Sequence, residues 1–300
     1  MFSVTILGNN SAIPAHDRHP TAQVVDNEEQ SFLIDCGEGT QMQMRRYKIR
    51  TSRINNIFIS HLHGDHYFGL IGLLTSMALL GRKTPISLYA PSPLIDIINM
   101  QLQVASAILP YVLNFVPLEN EGVLYEDKKI SVSGFEVFHR IRCFGFIFTE
   151  KKHLRKIDPI KVKEHEIPFG QFEDIMSGKD FIRSDHTIVK NELLTYPNLK
   201  PKCYVFCGDT KYHKDVAAKI KGADLLYHES TYLHHLQEKA ASRFHSTSKE
   251  AAVVARDGGV TKLLLGHFSS QYDNLNPFLE EAKDVFPNTE IAEEGVTYLI

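Results

Sequence analysis

Three observations predict that this chain folds as β-sheets layered with α-helices. Short apolar β-type runs recur along it, helical patterns separate several of them, and a dense histidine loop sits where one strand gives way to a helix. The strand-like runs are Val4 to Leu7, Phe32 to Asp35, Ile57 to Ile59, Ile86 to Tyr89, Ile130 to Phe138, Phe144 to Thr149, Tyr204 to Phe206, Leu225 to Tyr227 and Leu263 to Leu265. The helical patterns are Tyr67 to Leu80, Leu94 to Ala107, Lys214 to Ile220, Ser246 to Asp257 and Pro277 to Phe286. The fourth opens on Ser246 or Ser248 as its cap, with Glu250 in the first turn. With 300 residues and 43% hydrophobic content, the chain can bury a sizeable core and reads as one domain, residues 1–300.

A formal net charge of −3 announces no global affinity for nucleic acid, so anion recognition must come from local patches or metal ions. The segment Met1 to Gly8 lacks the basic and long apolar regions of a signal peptide, and no apolar run is long enough to span a bilayer. A cytoplasmic protein is expected. Cys36, Cys143, Cys203 and Cys207 lie in or beside strand-like segments and read as reduced packing residues. Residues 151–202 are rich in Lys, Glu, Asp and His with few apolar anchors, and read as an inserted surface element.

The run Ser60-His61-Leu62-His63-Gly64-Asp65-His66 packs three imidazoles and a carboxylate into six residues after the apolar strand Ile57 to Ile59. Imidazole nitrogen and carboxylate oxygen suit zinc and similar metals, and an open coordination position activates water near neutral pH. On a strand-to-helix loop, His61 and His63 can point one way while Asp65 and His66, past a turn at Gly64, point another, which fits two adjacent metals better than one.

Such a site needs further ligands, and three candidates follow the ends of apolar strands: His139, Asp209 and His267. In layered α/β folds ligands gather outside the carboxyl ends of strands. Gly208 and Gly266 precede two of them and permit close backbone approach. A second signal is Glu229, after Leu225 to Tyr227, with His245 at a helix start. A carboxylate bonded to that ring would orient it and raise its pKa, making His245 a plausible proton donor.

Together His61-Leu62-His63-Gly64-Asp65-His66, His139, Gly208-Asp209-Thr210, His228-Glu229-Ser230-Thr231, His245-Ser246-Thr247 and Gly266-His267-Phe268-Ser269 resemble the ordered motifs of the metallo-β-lactamase superfamily. Glu229 with His245, and the run Gly37-Glu38-Gly39-Thr40-Gln41, narrow the resemblance to the ribonuclease Z group of tRNA 3′-processing endonucleases. It runs from near Met1 to about Asn288 and implies an αββα sandwich with two zinc ions at one edge, Mn2+ or another divalent ion being the alternative. By position, His61, His63 and His139 would hold one ion, Asp65, His66 and His267 the other, and Asp209 would bridge them. Asp65 would orient or deprotonate the attacking water, and His245, held by Glu229, would protonate the departing 3′ oxygen. The implied reaction cuts precursor tRNA after the discriminator nucleotide, leaving a 3′-hydroxyl on the tRNA and a 5′-phosphate on the trailer. The implied partners are precursor tRNA and a second copy of the chain, with neither DNA nor membrane.

The resemblance also makes residues 151–202 a protruding arm that grips tRNA, with Lys151, Lys152, Arg155 and Lys156 at its base, and makes Arg18, Thr210, Ser269 and Gln271 substrate contacts nearer the metals. Three departures concern RNA handling. His16 and His19 flank Arg18 where the group carries Lys, Arg and Asn; Gln271 replaces a phosphate-touching arginine; and the arm tip reads Ile167-Pro168-Phe169-Gly170-Gln171. Two other functions compete: a hydrolase of small phosphodiesters or other esters, which needs neither arm nor Glu229–His245 pair, and a non-catalytic RNA-binding paralogue, which predicts broken ligand motifs.

Overall fold

A computed structural model describes residues 2–151 and 153–300, so Lys152 lies outside the described residues. The chain divides into two compact units. One comprises Met1–Glu126, Ser131–Thr149 and Lys202–Ile300, the other Asp127–Ile130 and Glu150–Pro201.

The larger unit is built on two seven-stranded sheets. The first contains β1 (Ser3–Gly8), β2 (Ala22–Asp26), β3 (Ser31–Ile34), β4 (Ile54–Phe58), β5 (Ile86–Ala90) and β6 (Leu113–Pro117). The second contains β7 (Gly122–Glu126), β8 (Ile130–Val137), β9 (Cys143–Glu150), β10 (Cys203–Cys207), β11 (Leu225–Glu229), β12 (Lys262–Gly266) and β13 (Thr289–Ile291). The last strand, β14 (Thr297–Leu299), returns to the first sheet and pairs antiparallel with β1, Val4 opposite Tyr298. Strands β3 to β6 run parallel, as do β10 to β13.

Strand side chains alternate between faces, and here both faces are buried. Leu33 and Ile57 pack outward with Met44, Leu73 and Ile98 of the covering helices, while Val205, Leu226 and Leu263 pack outward with Ala251, Val254 and Phe278. The intervening Phe32, Phe58, Phe146 and Phe148 point inward and join the sheets: Phe58 stands 5.3 Å from Phe146 and Phe32 5.5 Å from Phe148, ring centre to ring centre. The result is the helix–sheet–sheet–helix layering expected from the sequence.

The helices α1 (Thr40–Arg46), α2 (Gly64–Tyr67), α3 (Leu70–Leu79) and α4 (Pro93–Val104) follow strands of the first sheet. The single helix expected over Tyr67 to Leu80 is therefore two. They break at Phe68-Gly69, where a Cβ on Gly69 would lie 2.2 Å from the Gly37 carbonyl oxygen. Gly64 makes no turn either: it opens α2, and a Cβ there would meet the Phe68 ring at 2.1 Å. In the second half lie α5 (Asp215–Lys219), α6 (Gln237–Ser242), α7 (Ser248–Gly258) and α8 (Asn276–Lys283). The cap of α7 is Thr247, neither Ser246 nor Ser248; Thr247 and Glu250 form a reciprocal capping box.

The smaller unit has a core of its own, contrary to its polar composition: Val162, Ile167, Ile175, Val189 and Leu194 cluster with Ile157, Phe172 and Phe181. Two short ladders, Lys156–Ile157 with Thr195–Tyr196 and Phe181–Ile182 with Ile188–Val189, frame it. Asp158 caps the helix Pro159–Glu164 by accepting from the amides of Ile160 and Lys161. No helix among the described residues is long and apolar enough to cross a membrane.

Phe58 is fully buried between the sheets and stacks on Tyr89 at 4.4 Å. Phe58→Ala is expected to lower stability by about 3–5 kcal/mol, read from urea unfolding; a loss under 1 kcal/mol would show that the inter-sheet ring layer is not what holds the sandwich together.

Candidate metal centre

The site forms where strands of both sheets end. Asp35 follows β3, and Ser60 and His61 follow the adjacent β4; Asp209 follows β10, Glu229 ends β11 and His267 follows β12. Parallel pairing brings these ends side by side, Cys207 opposite His228 and Glu229 opposite Gly266. A short parallel ladder, Asn10–Ser11 with Phe268–Ser269, crosses the same edge. Asp35 and His267 take left-handed backbone angles, φ 55° and 58°, sparsely populated for residues with a side chain.

All seven candidate ligands come together. Ligand atoms of His61, His63, His139 and Asp209 lie within 4.8 Å of one another, as do those of Asp65, His66 and His267. Four of the five rings, those of His61, His66, His139 and His267, present one nitrogen to the centre while the other meets a group behind it. His139 Nδ1 donates to the Phe244 carbonyl at 3.0 Å, and His66 Nδ1 donates to Asp35 Oδ2 at 2.7 Å. Thr231 Oγ1 donates to Glu229 Oε2 and accepts from His267 Nδ1 at 2.9 Å. His61 Nδ1 faces the Ser60 hydroxyl at 3.1 Å. This tautomer-fixing shell is characteristic of metal-binding histidines.

Inside that shell His61 Nε2 and His139 Nε2 each stand 3.0 Å from His63 Nδ1. His66 Nε2, Asp209 Oδ1 and His267 Nε2 are buried without a hydrogen-bond partner, although Asp209 Oδ1 is 3.3 Å from the first nitrogen and 3.0 Å from the second. Buried polar atoms are seldom left unpaired. Converging nitrogen and carboxylate donors with open lone pairs fit a divalent metal.

The electrostatics agree. Burial would lower His267, yet Asp209 and Asp65 carry it to about 10. Burial likewise opposes charge on His66, and Asp209, Asp65 and Asp35 outweigh it, raising that ring well above the ordinary imidazole value. His63, farther from the carboxylates, is lowered to about 4 by burial and by His139. Negative charge is thus concentrated where cations would sit.

Glu229 is fully buried. It accepts from the amides of Thr210 and Thr231, from the Thr231 hydroxyl, and from His245 Nδ1 at 2.8 Å. Burial works against a charged pair, but mutual attraction prevails: the carboxyl is held below its usual range and the imidazole above. The His245 ring lies 5.3 Å from the His139 ring and 5.5 Å from the His267 ring.

The remaining candidates are placed differently. Thr210 is buried, its hydroxyl accepting from the Phe138 amide and donating to the Lys211 carbonyl, so it locks loops together and does not face outward as a substrate contact would. Arg18 reaches Asn10 Oδ1 and the carbonyls of Tyr272 and Asp273, bracing the loop that carries Ser269 and Gln271. His16 reaches the Ser270 carbonyl, and His19 pairs with Glu294 at 2.9 Å. Gln271 is exposed and accepts from Lys239 Nζ at 3.3 Å, so a cation from α6 stands beside the uncharged residue. Arg155 donates to Thr195 within the smaller unit and acts there as an internal brace; Lys156 is exposed and Lys151 partly exposed. Asp35, Thr231 and Lys239 went unrecognised in the sequence. Asp35 left a signal as a carboxylate at a strand end, and Thr231 only as a member of the His228-Glu229-Ser230-Thr231 motif.

The architecture is that of metallo-β-lactamase fold proteins: the fold protein YhfI of Bacillus subtilis matches with a TM-score of 0.71 at 19% identity, over 99% of this chain and 98% of that one. A family model described as Anti-Pycsar protein Apyc1 matches residues 2–154. The short form of human tRNase Z matches with a TM-score of 0.71 at 27% identity over 99% of both chains. Ribonuclease Z of Parabacteroides distasonis is 38% identical over 297 residues, 98% of each chain. This chain belongs to the ribonuclease Z family.

Because Asp35 fixes the His66 ring, Asp35→Ala should weaken divalent-metal binding roughly 10–100-fold in a chelator competition while the circular dichroism spectrum is retained. Unchanged affinity in a folded variant would remove Asp35 from the metal-supporting shell.

Proposed function

We propose that this chain is a zinc-dependent endoribonuclease that removes the 3′ trailer from precursor tRNA, leaving a 3′-hydroxyl on the tRNA and a 5′-phosphate on the trailer. The observation that carries this is the Glu229–His245 pair: a buried carboxylate with four donors holds an imidazole at the rim of the donor cluster, in a chain of this family. His61, His63 and His139 would hold one ion, Asp65, His66 and His267 the other, and Asp209 would lie between them. When bound, the ions would polarise the scissile phosphate and lower the pKa of water.

The chain's own groups do the rest. Asp65 Oδ2 accepts from the Ala12 amide at 2.7 Å, which fixes the carboxylate. Beside the His66 and His267 rings the carboxylate keeps its charge against the effect of burial, so it can accept a hydrogen bond from the attacking water and orient it. His245, kept protonated by Glu229, gives its proton to the departing 3′ oxygen. Neither the arm nor this pair is needed by a hydrolase of small esters, and the ligand motifs are intact, which disfavours a non-catalytic paralogue.

The smaller unit serves as the tRNA grip, its exposed Lys156 and Lys163 suited to the backbone of folded RNA. The enzyme acts in the cytoplasm as a homodimer. Apolar exposure along and just beyond α3 and α4, at Leu79, Leu80, Met100, Val104 and Ile108, supports an interface between copies.

The decisive test is incubation of zinc-loaded protein with a 3′-extended precursor tRNA and mapping of the product ends; random cuts or none would reject the proposal. His245→Ala should lower turnover on precursor tRNA about 10²–10⁴-fold with zinc content intact. The same variant should lose far less on a nitrophenyl phosphodiester, whose leaving group needs no proton; equal losses would strip His245 of its donor role. Trimming the unit between Asp158 and Leu194 should raise KM for precursor tRNA and spare the small diester, and parallel loss on both substrates would contradict a purely recognitive arm.

A further inference from the structure

An aromatic pair at the rim of the donor cluster has no part in the chemistry above. Phe138 immediately precedes His139, yet it is 45% exposed. Its ring stacks on the His213 imidazole with centres 3.9 Å apart and planes 21° apart. The pair is rigidly mounted. The Phe138 amide donates to Thr210 Oγ1 at 3.1 Å, its carbonyl accepts from the Lys211 amide at 2.7 Å, and His213 Nδ1 accepts from the Asp215 amide at 3.3 Å. These bonds tie the pair to the loop that carries Asp209. Lys211 and Lys214, both exposed, flank His213 in the chain, and the Asp215 carboxylate lies 3.5 Å from His213 Nδ1.

An exposed, anchored aromatic face with lysines in the same loop is how proteins hold unpaired nucleotides without reading their sequence: bases stack on the rings while lysines follow the phosphates. We propose that Phe138 and His213 form a base-stacking platform for one unpaired nucleotide next to the scissile phosphate. The proposal rests on the nuclease reading and adds a substrate contact to it. Because His213 covers one face of Phe138, a base would stack on the other, beside the segment that carries His139.

The test uses zinc-loaded protein and precursor tRNA whose unpaired nucleotides on either side of the cut are replaced, one at a time, by abasic residues. Phe138→Ala should raise KM for the intact precursor roughly tenfold with zinc content unchanged. Phe138→Tyr, which keeps the ring, should restore it. At the stacked position an abasic substitution should raise KM for the unaltered protein and erase the difference between it and Phe138→Ala. An unchanged KM, an equal penalty on intact and abasic substrates, or loss of zinc would each reduce Phe138 to a packing residue and overturn the platform. Failure of the unaltered protein to cut at all would instead sink the nuclease reading, and this proposal with it.

Discussion

Buried negative charge is the constraint on which the site depends. Asp35, Asp209 and Glu229 are all nearly or fully removed from water, and an isolated buried carboxylate is too costly to keep. Each is matched differently. Asp35 receives His66 and the Ser60 amide and hydroxyl; Glu229 receives four donors; Asp209 is ringed by His61, His66, His139 and His267. Of these three carboxylates Asp209 alone keeps a buried oxygen unpaired among the described residues, and the unpaired nitrogens of His66 and His267 converge on it. The same physics that makes the other two carboxylates supports for histidines makes the third a place for cations.

Two sheets are needed to arrange this. The histidine loop and Asp35 belong to strand ends of the first sheet, whereas Asp209, Glu229 and His267 belong to those of the second. The aromatic layer of Phe32, Phe58, Phe146 and Phe148 sets the spacing of the sheets, and the Asn10–Ser11 ladder with Phe268–Ser269 joins them at the site edge. Core packing and ligand geometry are therefore one problem.

Much of this was legible in the sequence because it repeats one local pattern, an apolar run ending in a histidine or carboxylate. His61, His139, Asp209 and His267 all fit it. Asp35 fits it too, but nothing along the chain marks it as the partner of His66, 31 residues on; that relation exists only once β3 and β4 pair. Thr231 and Lys239 are ordinary polar residues until the loops close. The break at Phe68-Gly69 was invisible because it answers to a carbonyl from Gly37, and the smaller unit's core because its five buried apolar residues are scattered among charges. Edge strands such as Leu113–Pro117 and Gly122–Glu126 were missed for a similar reason: half-exposed, they carry too few buried side chains to stand out.

The return of β14 to the first sheet bears on how the protein is made. The strand Thr297–Leu299 lies against Ser3–Thr5, so the first sheet is incomplete until Thr297–Leu299 has been synthesised. His267 is likewise among the late arrivals. An N-terminal half emerging alone displays the histidine loop on an unfinished sheet, without Asp209 or the Glu229–His245 pair. Synthesis order thus separates the appearance of the histidine loop from the completion of the site around it.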